Sequence, residues 1–122
     1  MPEGNAPFSQ TEYDRRIALT RTAMSEAGLD ALFVTDPSNQ AWLTGYDGWS
    51  FYVHQGVLLR MEGEPMWWGR FMDSMGALRT CWMSEDNIFG YADSYVQSWR
   101  TSPVRLRGPL RATQVVLAQE WY

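Results

Sequence analysis

The chain has no lysine; all ten of its basic residues are arginines, a bias we read as coding preference rather than mechanism. Acidic residues outnumber them, 14 to 10, for a formal net charge of −4. A nucleic-acid partner calls for a basic face, so no nucleic acid is expected. There is one cysteine, Cys81, and one histidine, His54. A single thiol makes neither an internal disulfide nor a zinc site. With Trp82 and Met83 beside it, Cys81 reads as buried and inert. One histidine excludes H-E-x-x-H and any His-rich metal site. The sequence contains no G-x-G-x-x-G, no G-x-x-x-x-G-K-[ST] and no G-x-S-x-G. Neither a phosphate-binding loop nor a nucleophile elbow is therefore supported. No run approaches the ~20 apolar residues of a membrane helix. Met1 to Pro7 has no basic stretch and no apolar run, so the expectation is a cytoplasmic protein with no signal peptide and no membrane partner.

What is present is a chain of 122 residues, one domain by length, with 45% hydrophobic residues. A chain this size buries roughly 65–70% of its unfolded surface, enough for a core. Seven Trp, six Tyr and five Phe exceed what a core of this size needs, which points to a cleft or a partner surface.

Residues 1–7 read as a loose tail. Ser9-Gln10-Thr11-Glu12 fits a capping box, with Glu12 reaching back to the cap, and Phe8 and Tyr13 fall at the staple positions. Tyr13, Ile17, Met24 and Ala27 recur at helical spacing with Arg15, Arg16 and Glu26 off the stripe, so residues 9–27 are predicted helical, stopped by Gly28. Asp30 to Thr35 reads as an interior, parallel strand. Asp36-Pro37 opens a short helix ending near Gly45. Phe51 to Arg60 reads as a long strand, joined through Glu62–Pro65 to Met66–Gly69 as a hairpin. Residues 71–80 are a weaker helix because of Gly76. Asn87 to Tyr91 is a further strand, and 110–121 a final helix after an Arg/Pro-rich stretch. This order predicts an α/β single domain, a mixed β-sheet covered by helices.

No complete catalytic set and no metal-ligand cluster emerges, so catalytic and metal residues are both assigned as none. One segment concentrates chemistry: Gly45-Tyr46-Asp47-Gly48-Trp49-Ser50-Phe51-Tyr52-Val53-His54-Gln55. In a strand, Tyr52 and His54 would share one face and Phe51 and Val53 the other. Such a segment can wall a small-molecule pocket, with rings for cationic or apolar surface and His54 for a hydrogen bond or proton. It can equally be a core hairpin with a satisfied histidine, and composition alone favours that. Arg70 suits a carboxylate, though a rim salt bridge is the plainer reading.

The run from Phe8-Ser9 through Gly28-Leu29-Asp30, with Asp36-Pro37-Ser38-Asn39 and Trp42-Leu43-Thr44-Gly45-Tyr46, resembles the amino-terminal domain of the creatinase/aminopeptidase P (prolidase) superfamily. The stretch Trp42–Gln55 with Gly63-Glu64-Pro65, Gly69-Arg70, Met83-Ser84, Asp86-Asn87-Ile88 and Gly90-Tyr91 is similar to its ectoine hydrolase branch. The resemblance covers about 8–98, leaving 1–7 and 99–122 as tails. It implies a creatinase N-terminal-like, ribonuclease H-like fold. It also implies a separate pita-bread catalytic domain as partner, a homodimer, and a small zwitterionic substrate. In the metallopeptidase members the second domain binds two metal ions; no cofactor is assigned to this chain, and the parent is either dependent on a divalent metal or, in the ectoine branch, metal-independent. The resemblance implies Tyr46, Trp49, Phe51, Tyr52, His54 and Arg70 as substrate-binding residues. Its implied role is a non-catalytic domain that helps dimerisation and closes the substrate pocket. Alternatives are the same domain of a metal-dependent Xaa-Pro peptidase, and a free-standing binding or dimerisation module.

Overall fold

The computed structural model describes residues 6–48, 53–92 and 115–117. Helix α1 spans Gln10–Glu26, and Ser9 caps it by accepting from the Glu12 N–H at 3.3 Å. The staple forms as expected, Phe8 and Tyr13 meeting edge to face at 6.2 Å. The second half of the capping box does not. Glu12 turns outward to the Arg15 and Arg16 guanidinium groups, which offer charge-assisted bonds that a neutral cap N–H cannot match. At the other end Gly28 adopts φ 72°, and Leu29 N–H bonds Met24 C=O at 2.9 Å, closing the helix with a left-handed turn.

Strand β1 (Ala31–Val34) follows, then α2 (Pro37–Thr44), whose first turn is capped by the Asp36 carboxylate accepting from Asn39 N–H at 2.9 Å. Strands β2 (Gly56–Arg60) and β3 (Met66–Arg70) form the hairpin; α3 (Phe71–Thr80), a short 3-10 turn (Glu85–Asn87), β4 (Ile88–Tyr91) and β5 (Val115–Leu117) complete the order. The sheet runs β4-β3-β2-β1-β5.

Three expectations change. β1 is interior, but it is antiparallel to β2 and parallel only to β5. β2 begins at Gly56 rather than Phe51. Val34 pairs with Val57, and β1 then gives way to the α2 cap, so residues before Val57 have no β1 partner, and Gly56 is the first residue opposite β3, at Trp68. Val53 and His54 form a bend instead. Within the predicted final helix, 115–117 is a strand: β-branched Val115 and Val116 pair with Ala31 and Leu32, filling the open side of β1.

Alternation along the strands divides the core. Leu32, Val34, Val57, Leu59 and Trp67 face Ile17 and Met24 of α1, Leu43 of α2 and Ala77 of α3. Ala31, Phe33, Leu58, Met66 and Phe89 gather on the opposite face. Trp67 and Trp68 therefore point to opposite sides, as the strand period requires.

Candidate functional site

Two of the six predicted site residues, His54 and Arg70, lie toward one corner of the sheet, where β3 and β4 end and β2 begins. Arg70 closes β3 and sits in register with Tyr91, the last residue of β4. The Tyr91 hydroxyl donates to the His54 carbonyl at 2.8 Å, which ties the bend before β2 to this corner. The His54 side chain is left exposed. Arg70 Nε donates to the Asp73 carboxylate at 2.7 Å, and its side chain is only 16% exposed. That is no loose rim pair: a largely buried guanidinium, oriented by an acid in the first turn of α3, is a prepared cation.

A row of rings leads into the corner. Phe33, Trp68 and Tyr91 follow one another across the sheet, with centroid spacings of 6.1 and 5.1 Å. Gly56 makes the row possible. A Cβ there would come within 2.4 Å of the Phe33 ring, so only glycine lets that ring lie across β2 toward Trp68.

Tyr46 belongs to the other side of the sheet. It is 2% exposed, packs against Trp67 at 5.1 Å, and donates its hydroxyl to Gln55 Oε1 at 3.0 Å. Burial pushes its phenol well above the ordinary range, so it stays protonated. Its route to the corner runs through Gln55, the residue next to His54. Trp49, Phe51 and Tyr52 lie outside the described residues. The structure thus ties the His54 backbone to Tyr91, the register partner of Arg70, and sets Tyr46 on the other face.

Sequence reading missed Tyr91, Gln55 and Asp73. Gln55 closed the long run and Tyr91 ended the last matching piece, so both were in view without a role. Gln55 is 4% exposed and accepts from Tyr46 through Oε1; its Nε2, and on the opposite face of the sheet Trp68 Nε1, have no acceptor among the described residues. Among the described residues no group of three or more His, Cys, Asp or Glu is placed to hold a metal ion. Nor, among them, is any helix long and apolar enough to cross a membrane.

Comparison with known proteins adds a family, two relatives and two solved structures. The Creatinase/Prolidase N-terminal domain family matches residues 16–110, further than the resemblance in the sequence, which stopped near Ser98. The ectoine hydrolase of Halomonas elongata is 60% identical over 98 residues, covering 80% of this chain and 25% of that protein. An uncharacterised hydrolase/peptidase of Sinorhizobium fredii is 40% identical over 92 residues, 75% of this chain and 24% of that protein. The chain thus spans about a quarter of the length of these relatives. Among solved structures, a proline dipeptidase from Streptococcus pneumoniae superposes with a TM-score of 0.56 at 22% identity, over 65% of this chain and 56% of that one. A dipeptidase from Mycobacterium ulcerans gives 0.55 at 22% identity, over 71% of this chain and 24% of that one. At such identity the superpositions speak for the fold alone.

Proposed function

Since the chain belongs to the creatinase/prolidase N-terminal domain family, we propose that it serves as the non-catalytic amino-terminal domain of an ectoine hydrolase-like enzyme. The observation that carries this is the 60% identity with ectoine hydrolase across 98 residues. In this reading a separate catalytic domain performs the ring-opening hydrolysis of ectoine. This domain supports a homodimer and closes the substrate pocket.

The corner fits that task chemically. Ectoine is a compact zwitterion with a carboxylate and a delocalised amidinium. Arg70, oriented by Asp73, suits the carboxylate. Aromatic faces suit the cation, and exposed His54 supplies a hydrogen bond or proton at the rim. Trp49, Phe51 and Tyr52 enter as further pocket rings on the strength of the resemblance. Tyr46 acts by holding Gln55 and the bend that carries His54.

The test joins this chain to the catalytic remainder of the Halomonas elongata enzyme in place of that protein's own first quarter. The hybrid is assayed with ectoine and with an Xaa-Pro dipeptide, with and without chelator. Ectoine turnover is expected, and Arg70→Ala should lower kcat/KM by about 10–100-fold, the worth of one charge-assisted hydrogen bond. Dipeptide cleavage without ectoine turnover would overturn the substrate. Unchanged kcat/KM in Arg70→Ala and His54→Ala would remove the pocket role.

A further inference from the structure

Helix α3 turns much of its apolar surface away from the core. Its buried residues are only Ser74 and Ala77. Phe71, Met72, Met75 and Leu78 are 54, 62, 54 and 41% exposed. They fall at i, i+1, i+4 and i+7, a single stripe along the helix. Single exposed apolar residues need no explanation, but a contiguous stripe does. Gly76 lies in the same helix, and a Cβ added there would meet nothing. Packing inside the domain therefore does not ask for this glycine, which weakens the helix relative to alanine. It leaves a notch beside Met72 where another surface can approach the backbone.

Length identifies what fills this face. The chain matches 25, 24 and 24% of three curated relatives, so a body about three times its size accompanies this domain in each of them. We infer that the outer face of α3 docks on that larger body. This rests on the reading above, that the chain works as the amino-terminal part of such an enzyme. A second copy fits less well. Four half-exposed side chains offer on the order of 400 Å², about half of the ~800 Å² each partner gives to a stable interface. Contacts between domains of one chain start at about 600 Å² in total, roughly 300 Å² a side, which this stripe meets. Two methionines in the stripe suit a surface that adapts to its partner. The stripe also starts at Phe71, immediately after Arg70, so docking through it brings the docked body to the neighbour of that guanidinium.

Methionine oxidation reads this directly, because peroxide reacts with thioethers according to exposure. The 122-residue chain and the hybrid with the catalytic remainder of the Halomonas elongata enzyme are treated in parallel. In the chain alone Met72 and Met75 should oxidise fast; in the hybrid they should be slowed by about tenfold or more. Met61, on the hairpin and 39% exposed, is the internal reference and should react alike in both. Met75→Glu in the hybrid should abolish the protection of Met72, and Gly76→Leu, which fills the notch, should weaken it. Equal oxidation of Met72 and Met75 in chain and hybrid would overturn the proposal. So would protection that already appears in the chain alone and grows with its concentration, which would assign the face to a second copy. Protection without ectoine turnover would leave the docking standing and sink the substrate reading; turnover without protection would do the reverse.

Discussion

Gly56 shows how much one missing side chain decides. Its absent Cβ is the floor on which Phe33 lies, and Phe33 in turn meets Trp68 and, through it, Tyr91. Alanine there forces the Phe33 ring aside. Alanine's smaller backbone entropy cost returns about 0.5–1 kcal/mol, while overpacking and a lost ring pair take about 1–3. We expect Gly56→Ala to destabilise by about 1–2 kcal/mol in denaturant melts. In a Phe33→Leu background the penalty should shrink, because the collision is with that ring. An equal penalty in both backgrounds would place the strain elsewhere. Nothing in the sequence marks this role, since a glycine ahead of an apolar run looks like an ordinary strand boundary.

At the scale of the element, the start of α1 is held by charge. Hydrogen bonds from Arg15 and then Arg16 hold the Glu12 carboxyl down from its ordinary 4.5 to about 2. Arg16 also donates to the Trp42 carbonyl at 3.0 Å, its guanidinium lying over the Phe8, Tyr13 and Trp42 rings at 4.4, 5.5 and 5.2 Å. A carboxylate whose folded pKa is depressed stabilises the fold above its unfolded pKa, and that contribution fades as pH falls through the folded value. Glu12→Gln should therefore melt at a lower temperature than the parent at pH 7. The gap should close between pH 4.5 and about 2. A constant gap across that window would show that the pair does not couple to folding. Much of this element was legible: Ser9, Gly28 and the Phe8–Tyr13 staple follow from local chemistry. Arg16 was not. It is off the apolar stripe, and it is buried because Trp42, 26 positions away, brings a ring and a carbonyl to it. Likewise Asp36-Pro37 announced α2, but only the ladders decided where β2 starts, Val57 being the first residue opposite β1 and Gly56 the first opposite β3, and only the open side of β1 decided that 115–117 is a strand.

For the whole molecule, the site divides along the same line. His54 and Arg70 were legible as residue types, whereas the link between them runs through Tyr91 and strand register, which no local pattern carries. Cys81 offers a probe of the molecule as a unit. It is buried in the helix-side core, and burial pushes its thiol up to about 12. A raised pKa means the fold is fully favoured below the thiol's unfolded value and loses this contribution as pH climbs toward the folded one. At pH 8 an aromatic disulfide reagent should label the native chain at least ~1000-fold more slowly than the denatured chain, because labelling waits for global opening. Comparable rates would mean that the core opens locally around Cys81.

The pairing of β5 with β1 has a consequence for how the sheet is made. Ala31, Leu32 and Phe33 meet Val115, Val116 and Leu117 across more than half the chain. Contacts so distant in sequence are expensive to close and form slowly. Until they form, β1 presents a bare apolar edge that other chains can extend. A polypeptide shortened ahead of Val115 keeps that edge permanently, so aggregation during synthesis, rather than loss of a pocket residue, is the first defect such a shortening produces.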